Sequence, residues 1–193
     1  FENKTITLDG KVYPMKDTDF PTVDPKDPYR LTKEEEEVMD RLRQAFIRCD
    51  KLQKDVRFLF AKGSLYRIYN SNLLYHGCVP LDENGDFKKI EVFGKEYSGK
   101  ALYDVLESYA RKGYYGARSS SEKLKGQDII WYIWTGPNSP VFGKDKMTTF
   151  ERYFIEDKET HKERKNAYYR LLNDETVIDR ILNEIGLDST KSH

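Results

Sequence analysis

Residues 64–80 read SLYRIYNSNLLYHGCVP. Two short apolar runs flank Asn70-Ser71, a dipeptide whose polar side chains tolerate the positive φ angles of a tight turn. The segment therefore reads as a β-hairpin. Its second strand delivers His76 at its carboxyl end, followed by a glycine and, three residues further on, Pro80. A neutral imidazole at a strand end can offer a ring nitrogen to a metal ion, and Gly77 lets neighbouring backbone approach closely. A histidine hydrogen-bonded in a partly buried site would read the same way.

Outward from this hairpin, both flanks alternate β and helical patterns. TITLDGKVY, residues 5–13, places two β runs around Asp9-Gly10. Four prolines between positions 14 and 28 forbid a regular helix there and predict an extended connector. Thr32 and Glu35 form a capping-box signal, after which Val38, Leu42, Ala45, Phe46 and Cys49 recur at helical spacing. A second helix is expected with Asp50 and Gln53 as caps, Leu52, Val56, Leu59 and Phe60 inward, and Gly63 as its stop. C-terminal to the hairpin, Asn84-Gly85 and Phe93-Gly94 are turn signals around a β run. Leu102, Val105, Leu106 and Tyr109 mark an amphipathic helix ending at Gly113. ARSSSEKLKGQ, residues 117–127, reads as a mobile polar loop, and DIIWYIW, residues 128–134, as a buried strand or helix turn. TGPNSPVFGKDK, residues 135–146, must be a loop, and residues 151–174 form a charged stretch with scattered aromatics. Asp174 opens the cleanest helix, with Val177, Ile178, Ile181, Leu182 and Ile185 inward and Gly186 as its stop.

Composition limits the function classes. The 193 residues are 38% hydrophobic and 34% charged, and Lys+Arg and Asp+Glu both number 33. No global field favours nucleic acid or an anionic membrane. Mean hydropathy is −0.80, and no apolar stretch approaches the roughly 20 residues of a membrane span. The 14 tyrosines and 10 phenylalanines argue for a packed core over disorder. With only Cys49 and Cys78, a reduced, cytoplasmic setting is expected. The first residues lack the charged and apolar regions of a signal peptide, and the absence of an initiating methionine suggests a piece of something longer.

Motif chemistry is sparse. His161 lies in a charged run and reads as a surface residue, and His193 is terminal. No His-x-x-x-His, Cys-x-x-Cys or Glu-x-x-His pair is present, so spacing alone assembles no metal site. The glycine-containing loops do not match a nucleotide phosphate loop. Lys144 and Lys146, in GKDKM, are candidates for phosphate or sugar recognition, although loop lysines are commonly plain solvated surface. The acidic run at 34–37 suits the positive end of a helix dipole. Cys78 has no triad partner and reads as packing, and the aromatic run at 128–134 lacks the interleaved basic residues of a base-stacking surface.

FPTVDPKDPYRLTKEEEEVM, LQKDVRFLFAKGSLYRIYNSNLLYHGCVPLDENGDF, GKALYDVLESYARKGY and, above all, GKDKMTTFERYFIEDKETHKE at 143–163 carry a resemblance over essentially the whole chain. They resemble the class III fructose-1,6-bisphosphatases, bacterial enzymes of the calcineurin-like metallophosphoesterase group. The resemblance implies a mixed α and β fold: part of a metallophosphoesterase sandwich core with two mostly helical insertions. Residues 1–62 and 83–172 would be the insertions, 63–82 the core hairpin carrying His76, and 173–193 a core helix and truncated end. It also implies that YHGCVP supplies one histidine ligand, His76, to a centre of two divalent ions, manganese. The Asp-x-His, Gly-Asp-x-x-Asp-Arg-Gly and Gly-Asn-His-Asp segments of that group are expected before this chain, and a final Gly-His segment after it. GDFKK at 85–89 does not replace them. The implied activity is removal of the 1-phosphate of fructose 1,6-bisphosphate in gluconeogenesis, by a bridging hydroxide and with no protein nucleophile. The implied partners are a sugar bisphosphate, the remainder of the same polypeptide and a possible second copy. A fragment alone would be inactive. The competing readings are a non-catalytic interaction module and a metallophosphatase of another substrate.

Overall fold

Three two-residue turns, each built on residues at positive φ, close three separate hairpins in the computed structural model, which describes residues 3–191. His193 lies outside the described residues. Contacts divide the chain into two compact units: residues up to 63 together with 149–161, and 64–148 together with those from 162 on.

In the first unit, β1 (Thr5–Leu8) pairs antiparallel with β2 (Lys11–Pro14), and Leu8 faces Lys11 across the turn at Asp9-Gly10. The proline-rich connector follows and carries no helix. Thr32 then caps α1 (Lys33–Ile47) with the full reciprocal box. Its Oγ1 accepts from the Glu35 amide at 3.3 Å, and the Glu35 carboxylate accepts from the Thr32 amide at 2.7 Å. That backbone donor, together with the Thr22 hydroxyl, lowers the Glu35 pKa.

α2 (Asp50–Lys62) departs from expectation at its start. Cys49 occupies the cap position without a side-chain hydrogen bond, Asp50 is already helical, and Gln53 instead donates to the Phe46 carbonyl at 3.2 Å. Gly63 does end the helix. Neither α1 nor α2 buries a residue fully: the α1 stripe lies open, with Leu42 52% exposed, whereas on α2 Leu52, Val56 and Phe60 are half-buried and Leu59 is 62% exposed. The packed part of this unit is elsewhere. α5 (Thr149–Phe154) brings Phe150 and Phe154 together, Phe20 packs on Phe154, and buried Ile155 bridges to Met15.

The second unit starts with β3 (Tyr66–Tyr69) and β4 (Asn72–Tyr75), turning at Asn70-Ser71 with φ of 48° and 61°. β5 (Ile90–Val92) and β6 (Lys95–Tyr97) turn at Phe93-Gly94. α3 (Gly99–Tyr115) runs through the position expected to stop it. Gly113 lies inside the helix, and Gly116 is its cap. The reason is a close helix crossing: a Cβ on Gly113 would lie 2.6 Å from the Gly126 carbonyl carbon, and one on Gly126 would lie 2.2 Å from the Gly113 nitrogen. Gly126 belongs to α4 (Ser121–Thr135), which replaces the expected mobile loop. The serine run that suggested a loop instead caps a helix, with Ser120 Oγ accepting from the Lys123 amide. The aromatic run on α4 is also more open than expected. Only Ile129 is buried, while Trp131 and Trp134 are 70% and 69% exposed.

After a short α6 (Tyr168–Leu171), α7 (Glu175–Ile185) matches its expected limits. Asp174 accepts from the Thr176 and Val177 amides, and Gly186 adopts the left-handed conformation at φ 91°. Two buried clusters hold the unit together. Cys78, Val79, Leu81, Tyr103, Tyr168, Val177 and Ile181 form one, and Val92, Leu102, Leu106 and Ile129 the other. α3 contributes to both. Among the described residues every sheet is two-stranded, and no helix is long and apolar enough to cross a membrane.

Candidate functional site

β4 ends at Tyr75, and the chain then changes character within two residues. His76 is exposed, and among the described residues its ring makes no hydrogen bond. Gly77 adopts φ +88°, a region that L side chains disfavour. A Cβ there would come within 2.1 Å of the Pro140 carbonyl oxygen. The Cys78 amide donates to that same oxygen at 2.7 Å. The glycine is thus required twice, by its torsion and by the loop pressed against it.

Behind the histidine the backbone is pinned on every side. Tyr103 Oη donates to the Cys78 carbonyl at 2.8 Å, and the Lys88 amide donates to the Pro80 carbonyl at 2.9 Å. Buried Asn166 accepts from the Leu81 amide at 3.0 Å and donates back to the Leu81 carbonyl at 3.2 Å. Its Oδ1 also accepts from the Tyr168 amide. Tyr75 and Tyr168 share a hydroxyl–hydroxyl hydrogen bond. Burial, followed by that bond, drives the Tyr75 pKa up, and burial drives Tyr103 up as well. Burial pushes the Cys78 thiol to about 12, so Cys78 stays protonated and unreactive at neutral pH, as its packing role predicts. The result is one exposed imidazole on a turn held by these hydrogen bonds.

The loop against Gly77 carries the two candidate lysines. Ser139 is fully buried and organises the bend, donating to the Ile133 carbonyl and accepting from the Val141 amide. Lys144 Nζ donates to Glu163 Oε2 at 2.6 Å and lies 5.5 Å from the centre of the Phe142 ring. Glu163 Oε1 also accepts from the amide and hydroxyl of fully buried Thr148. These donors, Lys144 first, hold the Glu163 carboxyl at about 2. Lys144 is therefore a half-buried cation paired with Glu163. Lys146 is half-exposed in the same loop.

His161 differs from its expected place on the surface. Its Nε2 sits 2.9 Å from the Ile155 carbonyl, which fixes the proton on that nitrogen, and the ring is half-buried. Sequence reasoning missed Asn166 and Glu163 altogether. Both lie in the charged stretch 151–174, where hydrogen-bonding partners many positions away leave no local pattern.

Among the described residues no group of three His, Cys, Asp or Glu side chains could hold a metal ion. His76 can supply one bond to a metal, and the donor set does not close within these residues.

The Firmicute fructose-1,6-bisphosphatase family matches residues 1–193. The class 3 fructose-1,6-bisphosphatase of Clostridium tetani is 51% identical over 193 residues, covering all of this chain and 29% of that protein. That of Clostridioides difficile is 54% identical over 193 residues, again 100% and 29%. That of Listeria innocua is 50% identical, with 100% and 30% covered. The chain thus spans less than a third of the length of these curated relatives. No solved structure matches it.

Proposed function

The chain belongs to the Firmicute fructose-1,6-bisphosphatase family, and from that premise we propose that the whole protein hydrolyses the 1-phosphate ester of fructose 1,6-bisphosphate. Water adds to phosphorus, the P–O bond to the sugar breaks, and the products are fructose 6-phosphate and inorganic phosphate, as gluconeogenesis in the cytoplasm requires. In this reading the β3–β4 hairpin and α7 belong to a metallophosphoesterase sandwich whose other strands come from polypeptide outside these residues. Both hairpin edges lacking a third strand here agree with that.

The observation that carries the proposal within this chain is His76. An exposed imidazole with no internal hydrogen bond stands on a turn fixed by Gly77, Tyr103 and Asn166. Such a group is preorganised to donate a ring nitrogen to a metal without loss of side-chain packing. Manganese, when bound, would supply Lewis acidity toward the phosphoryl oxygens and lower the pKa of water. The other donors lie outside this chain, so these residues contribute one ligand and its support. Lys144 and Lys146 are the proposed phosphate or sugar contacts, with Glu163 holding Lys144 in place until substrate arrives.

The test is His76→Ala in the protein at the length of its relatives. The expected result is a loss of fructose 1,6-bisphosphate turnover of more than about 100-fold, together with reduced manganese content by elemental analysis. Thermal stability of the 193-residue chain should stay within about 0.5 kcal/mol, because His76 is exposed. An active, fully metallated variant would overturn the assignment of His76.

A further inference from the structure

The ladder that holds β4 stops at Tyr75, which pairs with Tyr66. Regular backbone pairing resumes only at Pro80, whose carbonyl accepts from the Lys88 amide, and at the bridge between Leu81 and Phe87. Between these points run His76, Gly77, Cys78 and Val79. Among the described residues, the hydrogen bonds of this stretch gather on Cys78 alone. Its amide donates to the Pro140 carbonyl at 2.7 Å, and its carbonyl accepts from Tyr103 Oη at 2.8 Å. The first anchor is another backbone group. Tyr103 is thus the only side chain among the described residues that hydrogen-bonds the stretch carrying His76.

Packing alone does not account for that hydroxyl. Tyr103 lies on α3, 1% exposed, in the buried cluster with Val79, Leu81 and Ile181. A phenylalanine there would fill the same volume with no polar atom to satisfy. The Tyr103 ring makes a T-shaped contact with Tyr66, 5.6 Å between centroids, which ties its orientation to the hairpin itself. Burial raises its pKa, so the hydroxyl keeps its proton and donates. Asn166, by contrast, grips Leu81, beyond the far end of the stretch.

We infer that Tyr103 is the positioning residue of the His76 turn, acting on the imidazole through the Cys78 carbonyl. The inference rests on His76 being a manganese ligand, as proposed above. Without the hydroxyl, the Cys78–Val79 peptide plane loses its buried partner and is free to rotate, and that motion passes through Gly77 to the histidine. Metal binding must then order the turn, so affinity falls. Once the ion has ordered it, the turn works as before.

The experiment is equilibrium manganese binding, by calorimetry on the metal-free protein at the length of its relatives, beside turnover of fructose 1,6-bisphosphate. Tyr103→Phe should raise the dissociation constant of one manganese ion about tenfold. Its kcat at saturating manganese and its KM for the sugar bisphosphate should stay within about twofold of wild type. 4-Aminophenylalanine at position 103, which keeps a donor in the same place, should return the affinity towards wild type. Ile129→Val trims a buried side chain in the other cluster. It lowers stability without touching the turn and should leave manganese affinity unchanged. Wild-type affinity in Tyr103→Phe, with affinity lost in His76→Ala, would overturn the inference and leave the His76 reading standing. Equal losses in Tyr103→Phe and Ile129→Val would overturn it as well, because general destabilisation then explains both. Wild-type affinity in His76→Ala would remove the reading underneath and the inference with it.

Discussion

Gly77 bears the sharpest constraint beside the candidate ligand. Its φ of +88° and the 2.1 Å that would separate a Cβ from the Pro140 oxygen leave no room for any side chain. Gly77→Ala should therefore destabilise the chain by more than about 2 kcal/mol in urea unfolding, combining torsional strain with displacement of the loop. Glu163 is the electrostatic counterpart. Its pKa of about 2 lies below the ordinary carboxylate range, so its contribution is complete above that range and fades as pH falls from about 4 towards 2. Glu163→Gln should cost about 2 kcal/mol at neutral pH, and the gap between wild type and variant should close over that acid window. His76 and Gly77 were legible in the sequence because a turn signal and a strand end are local. Asn166 and Glu163 were not, since their partners at Leu81 and Lys144 are far along the chain and no periodicity announces a single buried amide or carboxylate.

At the scale of elements, what could be read depended on whether local signals agreed. The first two hairpins, the turn at Phe93-Gly94, the Thr32 capping box and α7 were recoverable because turn chemistry, caps and period pointed the same way. α3 and α4 misled the reading at their glycines. Gly113 looks like a stop and Gly126 like part of a loop, yet each serves the other across the helix crossing. Gly126→Val should separate the two helices and lower the unfolding midpoint by the equivalent of at least about 2 kcal/mol, since backbone, not a movable side chain, meets the added atoms. A matching fall in α-helical ellipticity would locate the damage there. The polar serines before α4 misled in the other direction, because the same residue types that break helices also begin them.

For the molecule as a whole, hydrophobic periodicity foretold which faces of α1 and α2 were apolar, but not that the α1 stripe would lie exposed while Leu52, Val56 and Phe60 of α2 are half-buried. Burial is decided by what packs opposite, which no single stretch of sequence announces. The same holds around His76: the residue stands exposed on a held turn, and among the described residues no group of three His, Cys, Asp or Glu side chains could hold a metal ion. Two units with separate packing follow from the contact pattern, which interleaves segments remote in sequence in a way that no stretch of residues read alone could reveal.

The outward placement of Trp131 and Trp134, the only two tryptophans in the chain, has a spectroscopic consequence. Both indoles are solvated while the helix is intact, so the emission maximum should already sit near the red limit and barely move on denaturation. The same indoles become a built-in reporter for assembly. Any polypeptide that settles over α4 would strip water from the rings and shift their fluorescence to the blue, with no label attached.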